Sequence, residues 1–288
     1  MIDFSTTPEQ LAFADAVIAA LGSRGSDDAQ ARWNALSDLG ALTLLTADGG
    51  GDLSDLVALM GAVGVDGCPG PIVATVAAAP HLSAEECEQL EAGQLRVSVA
   101  VGGFLPWPDE TDIALEVDGD EVWRVSFECD PPAPHTLSRE VWAPARIQRV
   151  SLLEDGPGFI VAAELGLAAA VLGTASALLE KAAQHARTRV QFGRPIGGFQ
   201  GVAHQLADGW ARCTAAEELV RLVATEHVMG RTSTERSRLA RAEACDAALR
   251  TAYVVHQVMG GLSFAEETGV GSASTRIRQW SLLLPAGL

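Results

Sequence analysis

The 288-residue sequence predicts a mainly α-helical protein with a small β insert. Towards both ends of the chain, apolar residues recur at spacings of three and four, the pattern of helices with one buried face. A middle stretch instead alternates or clusters β-branched residues between turn-forming residues, which is typical of short strands. We therefore expect N-terminal helices over residues 1–92, a small β-domain over 93–153 and a C-terminal helical bundle over 154–288.

The N-terminal region opens with a helix whose first turn holds Pro8, where a proline costs no helical hydrogen bond. Its apolar positions follow at helical spacing, at Leu11, Ala14, Val17, Ile18 and Leu21. Further helices are expected over 29–39, 53–65 and 83–90, separated by a glycine turn at 49–51 and a proline-rich turn at 68–71.

The middle region carries three expected strands, over 97–101, 113–117 and 122–127. Turns rich in proline, or containing Asp-Gly, separate them at 106–108, 118–120 and 130–134. The tryptophans of this region are expected to be packing residues, at Trp107, Trp123 and Trp142.

The last region fits three long helices and a shorter tail. The first long helix shows an apolar stripe made largely of alanine and leucine between residues 165 and 186. The second and third are expected over 199–229 and 234–259. Because small residues dominate the stripes, the helices can approach closely, as in a four-helix bundle.

Composition narrows the class of partner. The formal net charge of −17 argues against nucleic acids and anionic membranes, since both are bound through basic surfaces. No apolar run approaches the roughly 18–20 residues of a membrane span, so we expect no membrane-spanning helix. The first residues lack the basic head and apolar stretch of a signal peptide, so we expect a soluble, cytoplasmic protein. Five scattered cysteines and six isolated histidines predict free thiols and no metal site.

The segment 187–200, which joins the first two helices of the bundle, is the most informative stretch of the chain. It carries three arginines, breaks at Gly193 and Pro195, and reaches Gln200 where the next helix begins. A helix end, a turn and a new helix start place basic side chains and exposed amides at one corner, which suits a phosphate-bearing ligand. The alternative is an ordinary helix hairpin whose arginines pair with nearby carboxylates.

A second segment, 255–264, follows the third long helix. Gln257 offers a neutral donor and acceptor for a polar ligand, and Gly260 and Gly261 allow a ligand to approach the backbone closely. Alone, the glycine pair would more simply mark the end of a helix.

Together the two segments resemble the acyl-CoA dehydrogenase family. The first is similar to the family's hinge between two long helices, and the second to its Gln-x-x-Gly-Gly-x-Gly-Phe signature, in which Ser263 here replaces the third glycine. The resemblance implies FAD as cofactor, bound mainly by a neighbouring subunit. The residues expected to contact the ADP half of FAD are Arg189, Gln191, Phe192, Gln200, Gln257, Gly260 and Gly261.

The same resemblance implies a catalytic carboxylate, which removes the α-proton of the thioester while the β-hydride passes to flavin. The Glu-Gly-Thr string that carries this glutamate in most members is absent. Some relatives place it on the first bundle helix instead, where this chain has Ala163 beside Glu164. Glu164 could be a displaced base, but we favour a structural carboxylate paired to an arginine, with Arg187 or Arg212 as the expected partner.

The middle region is shorter than the central β-domain of typical members, whose strands line the flavin ring. Short chains without the base resemble one partner of heteromeric acyl-CoA dehydrogenases, which commonly act on CoA thioesters of steroid side chains. We therefore expect a non-catalytic subunit that shares FAD with a larger dehydrogenase-like subunit in a heterotetramer, with electron-transfer flavoprotein as acceptor. The alternatives are a self-sufficient homo-oligomeric flavoenzyme using Glu164, and a flavin-free helical scaffold or acyl-CoA-binding protein.

Overall fold

Five helices form the N-terminal part of the protein in a computed structural model that describes residues 5–22, 28–131 and 140–285. They are α1 (Pro8–Gly22), α2 (Ala29–Asp38), α3 (Leu53–Asp66), α4 (Ile72–Ala78) and α5 (Ala84–Glu91). Capping boxes start α3 and α5, because Asp52 and Ser83 each accept from the backbone three residues ahead. The sequence pattern missed α4, whose seven residues directly follow the proline-rich turn.

The β insert is a five-stranded sheet made of β1 (Val97–Ala100), β2 (Phe104–Pro106), β3 (Ile113–Asp118), β4 (Glu121–Cys129) and β5 (Trp142–Leu152). The strand order is β1-β3-β4-β5-β2, and all pairs are antiparallel except β1 with β3. The expected strands match β1, β3 and β4. Both β2 and β5 were missed, because β2 has only three residues and most of β5 is exposed on both faces and lacks a clean alternation. Part of the expected turn at 130–134 lies outside the described residues.

The C-terminal part contains α6 (Gly156–Thr188), a two-stranded hairpin of β6 (Val190–Gln191) and β7 (Arg194–Pro195), α7 (Gln200–Val228), α8 (Thr234–Met259) and α9 (Val270–Trp280). The expected bounds of α7 and α8 agree with the structure to within a residue at each end. The fold class, mainly α with a small β insert and a C-terminal helical bundle, is confirmed. The division into three domains stays a prediction.

Helix α6 lies at the centre of the bundle, where it packs against α3, α7 and α8. It crosses α3 at backbone distance: a Cβ atom on Gly64 would lie 2.0 Å from the Ala170 carbonyl oxygen. The Thr174 hydroxyl donates to the Gly64 carbonyl at 2.9 Å across the same contact. Contrary to the sequence expectation, α6 is by length and composition apolar enough to cross a membrane, but 94% of its apolar stretch is buried inside the protein. Its hydropathy therefore has a sufficient explanation in the core.

Helices α7 and α8 run antiparallel, with the Cys213 thiol 3.3 Å from the Thr251 hydroxyl. The beginning of α7 consequently lies near the end of α8. Because α6 ends in the hairpin that leads into α7, the hairpin and the turn after α8 share one end of the bundle. This end of the bundle is called the hinge end below.

Candidate functional site

The hairpin at the hinge end presents one aromatic side chain to solvent. Arg189 ends α6 and Ile196 donates back to its carbonyl oxygen at 2.8 Å, which closes the hairpin. The two residues at its tip, Phe192 and Gly193, have φ angles of +50° and +80°. Positive φ at both positions suits a two-residue hairpin but is costly for phenylalanine. Phe192 is nonetheless 93% exposed, although its ring meets that of Phe199 edge-on, with 6.1 Å between the ring centroids.

The three arginines of the hairpin have different surroundings. Arg187 donates to the Glu180 carboxylate at 2.6 Å and to Gln184 at 3.1 Å. Arg194 lies 4.0 Å above the ring of Phe199. Within the described part of the chain, the Arg189 side chain has neither an ion-pair nor a hydrogen-bond partner. The expectation of carboxylate pairing therefore fits Arg187, whereas Arg189 remains available to an anion.

Helix α7 begins beside these arginines without a side-chain cap. Its first residue is Gln200, and the hydrogen bonds of its first turn begin with Val202 and Ala203, which both donate to the carbonyl of Phe199. The backbone N–H groups that precede them are the unpaired donors usual at a helix start. Gln200 and Gln191 are both exposed.

The turn after α8 leaves its backbone open. Gly260 has φ +57° and ψ −139°, a conformation that glycine adopts most readily. A Cβ atom on Gly260 or Gly261 would meet nothing within 4 Å, so space beside this backbone is free. Gln257 is exposed on the last turn of α8, whereas Ser263 is fully buried and points inward.

All seven residues expected to contact the cofactor are thus exposed and lie in two segments at the hinge end. Two further aromatic residues at this end were not singled out from the sequence: Phe264 is 80% exposed and Tyr253 is 60% exposed. Phe264 belongs to the signature-like segment, and its hydrophobicity in a turn was the available signal. An unpaired arginine, amide side chains, open backbone and exposed rings could together bind an anionic, partly planar group.

Glu164, in contrast, is buried, with 2% of its surface accessible. It forms a hydrogen-bonded ion pair with Arg241 of α8. Burial raises the pKa of Glu164, and the Arg241 guanidinium opposes that rise. The expected partners were wrong: Arg187 pairs with Glu180, and Arg212 is exposed on α7. Spacing along the chain could not reveal this partner, because Arg241 lies on a different helix, 77 positions after Glu164.

Arg241 also donates to the backbone carbonyls of Ser281 and Pro285, each at 3.1 Å. The pair therefore joins α6, α8 and the residues after α9. Within residues 5–22, 28–131 and 140–285, the hydrogen bond to the Glu164 carboxylate comes from Arg241, a residue of the bundle.

The family described as "Acyl-CoA dehydrogenase, C-terminal domain" matches residues 162–282. Acyl-CoA dehydrogenase IpdE2 of Mycobacterium tuberculosis is 30% identical over 268 residues, which cover 88% of this chain and 81% of that protein. An acyl-CoA dehydrogenase of Bacillus subtilis is 37% identical over 130 residues, but the match spans only 34% of its length.

Among solved structures, the "Tcur3481-Tcur3483 steroid ACAD G363A variant" superposes with a TM-score of 0.79 at 22% identity. The match covers 96% of this chain and 93% of that one, and it shows a common fold.

Proposed function

Because this chain belongs to the acyl-CoA dehydrogenase family, we propose that it is a subunit of a flavin-dependent enzyme that dehydrogenates an acyl-CoA thioester. Its C-terminal bundle supplies part of a flavin site that a second subunit completes. The observation that carries this proposal is the unpaired, exposed Arg189 at the same end of the bundle as the open Gly260–Gly261 backbone.

The residues at the hinge end fit the ADP half of FAD. Acyl-CoA dehydrogenases are FAD-binding flavoenzymes, in which the bound flavin accepts the hydride from the substrate. Arg189 offers a charge-assisted bond to a pyrophosphate, since no carboxylate among the described residues pairs with its guanidinium. Gln191, Gln200 and Gln257 offer neutral hydrogen bonds, and the glycine pair admits close backbone approach. Phe192 offers a ring against which a planar or apolar group could pack.

This half-site is open to solvent, which favours a cofactor shared across a subunit interface. Exposed aromatic residues at Phe192 and Phe264 suit coverage by another protein, because large exposed rings mark interaction surfaces. The five-stranded sheet is a small counterpart of the domain that lines the flavin ring in typical members. We propose that the larger partner subunit supplies that wall.

We further propose that this subunit does not supply the catalytic base. The carboxylate nearest the position that some relatives use is held by Arg241, and the Glu-Gly-Thr string that carries the glutamate in most members is absent from the sequence. The fold shared with a structure described as a steroid ACAD supports a steroid side-chain CoA thioester as substrate. Electron-transfer flavoprotein as acceptor and the cytoplasm as compartment complete the proposal.

Expression with and without the partner tests the subunit assignment. The chain should yield a colourless protein alone and a yellow, active heterotetramer when co-expressed with a larger dehydrogenase-like subunit, for which the neighbouring reading frame is the first candidate. Size measurement and flavin absorbance distinguish these outcomes. A stable, yellow and active homo-oligomer would refute the auxiliary role, and a colourless protein in both cases would favour a flavin-free scaffold.

Substitution of two nearby arginines tests the cofactor site itself. Arg189→Ala should lower FAD affinity of the complex by about tenfold or more, because hydrogen bonds to charged groups contribute about 1.5–3 kcal/mol. Arg187→Ala is the matched control. It also removes one positive charge, two residues before Arg189, but the Arg187 side chain is already paired with Glu180. Its effect should stay within about threefold, as is usual for an exposed charge. Equal FAD affinity in the two variants would remove the basis of the site.

A further inference from the structure

A continuous set of side-chain hydrogen bonds connects α9 to the glycine turn at the hinge end. The Ser274 hydroxyl lies 2.7 Å from Nε2 of His256, and Nδ1 of His256 lies 2.8 Å from the hydroxyl of Ser263. Ser263 in turn donates to the carbonyl oxygen of Gly260 at 2.7 Å. Both serines are buried, so these contacts are not exchanged with bulk water.

The single proton of the Ser263 hydroxyl sets the direction of its bond with His256. Ser263 has one hydroxyl proton, and this proton goes to Gly260, so the Ser263 oxygen must accept from Nδ1–H of His256. Burial and the positive charge of Arg278 on α9 lower the pKa of His256, so its ring carries a single proton at neutral pH. Nε2 is then unprotonated and faces the Ser274 hydroxyl.

The single proton of the Ser274 hydroxyl has two acceptors within reach. The hydroxyl donates to the carbonyl oxygen of Val270, the first residue of α9, at 2.7 Å, and it lies 2.7 Å from Nε2 of His256. The Val270 carbonyl can also accept the Ser274 backbone N–H as an ordinary helical bond. The opposite tautomer would direct the Ser263 proton to the ring and withdraw it from Gly260.

This set of hydrogen bonds from Ser274 through His256 and Ser263, called the relay below, ends on the carbonyl oxygen of Gly260, in the 3-10 helix Gly260–Phe264. The space beside Gly260 and Gly261 is open, and Gly260 has an irregular conformation. The ring of Phe264 covers His256, with ring centroids 5.3 Å apart. Ser263 is also the residue that departs from the family-like glycine signature, and its hydroxyl forms the link between the ring and the turn.

We infer that His256 is a positioning residue, which acts through Ser263 to fix the Gly260–Gly261 peptide groups in the orientation that receives the ADP half of FAD. The inference rests on the proposed function for its ligand. The contacts within this chain are by themselves sufficient for the relay to hold the turn.

The test compares two substitutions that each preserve one side of the imidazole. The amide of asparagine in His256→Asn can replace Nδ1 and keep the bond to Ser263, whereas the longer glutamine of His256→Gln reaches towards the place of Nε2 and Ser274. Ser263→Ala removes the link itself. Ser272→Ala is the matched control, because the Ser272 hydroxyl also donates to the backbone carbonyl three residues before it, that of Gly269, but among the described residues it has no hydrogen bond to His256.

Two quantities are measured on the complex with its partner: the dissociation constant for FAD, and the hydrogen–deuterium exchange of the peptide 257–265. His256→Gln and Ser263→Ala should weaken FAD binding by about three- to tenfold, as expected for loss of one buried hydrogen bond, and speed exchange in the turn. His256→Asn and Ser272→Ala should remain within about twofold of the unmodified complex on the same scale. A role limited to filling space would instead penalise the smaller asparagine more than glutamine.

The inference is overturned if His256→Gln binds FAD as tightly as His256→Asn, or if Ser263→Ala exchanges no faster than Ser272→Ala. Failure of the proposed function has a different signature. If Arg189→Ala and Gln257→Ala leave FAD binding unchanged, the cofactor assignment falls. The exchange measurement then still decides whether the relay holds the turn.

Discussion

Replacing Glu164 by glutamine separates a structural carboxylate from a catalytic one. The glutamine has nearly the same shape, keeps one oxygen that can accept from Arg241, and removes the negative charge. The guanidinium would remain buried, held by the carbonyls of Ser281 and Pro285. The perturbation therefore changes the charge of the pair while leaving most of its hydrogen bonds in place.

The size of the effect follows from burial. The two side chains are 2% and 8% exposed, and removing one member of such a buried pair costs about 3–5 kcal/mol. Because glutamine retains an acceptor, we expect a smaller cost than this, about 2–3 kcal/mol, which is typical of a hydrogen bond to a charged group. For a chain of this size, that corresponds to a fall in Tm of about 4–10 °C.

Turnover of the assembled complex gives the decisive measurement. If Glu164 is structural, Glu164→Gln should keep turnover within about tenfold at a temperature where the variant is folded, whereas losing a general base costs roughly 10²–10⁴-fold. Flavin content and complex size are measured on the same sample. A loss of the larger size with flavin and assembly intact would refute the structural role and make this chain the active subunit.

A double substitution provides a control on the same pair. Replacing both partners by apolar residues of similar volume is often neutral for a buried ion pair. Glu164→Leu should therefore lower Tm, and adding Arg241→Met should recover part of that loss. No recovery would indicate that Glu164 has an essential contact other than Arg241.

Two further predictions concern stability. Gly64→Ala should destabilise the fold by about 1–3 kcal/mol through overpacking against Ala170, whereas Gly61→Ala on the same helix meets nothing within 4 Å and should be neutral or slightly stabilising in thermal unfolding; equal effects would contradict the close crossing of the helices. Hydrogen bonds from Arg124 hold the pKa of Glu86 at about 2, below its ordinary 4.5. Glu86→Gln should therefore cost about 1 kcal/mol at pH 7, discounted for partial exposure, and the difference should vanish as pH falls from 4.5 through 2; a difference that grows towards acid would show that the pKa is not depressed.

Periodicity recovered the long elements of this fold because burial of one face imposes it. Helix α8, for example, begins and ends where the sequence pattern placed it, between a serine cap and a glycine pair. Strand β5 has no such constraint, because residues 144–152 are mostly exposed and their polarity does not alternate. Helix α4 is short and entirely apolar around Thr75, so neither period stands out.

The candidate site also has parts that the sequence predicts and parts that it does not. A turn that needs glycine depends on neighbouring residues only, so Gly260 and Gly193 could be recognised in the sequence. Side-chain partnerships across the bundle are not, since Glu164 and Arg241 are 77 positions apart. The same limit applies to His256, whose two serine partners follow it by 7 and 18 residues and join it only when α9 packs back on α8.

The central position of α6 has a consequence for how the chain reaches its native state. The α3–α6 contact joins residues 110 positions apart, as between Gly64 and Thr174. During synthesis, the N-terminal helices and the sheet are therefore complete before the helix that covers them has left the ribosome. Their apolar surface stays open to chaperones or to aggregation until α6 arrives, because non-local contacts form late. A fragment ending before residue 156 should consequently be insoluble alone and become soluble when the C-terminal bundle is supplied as a second chain.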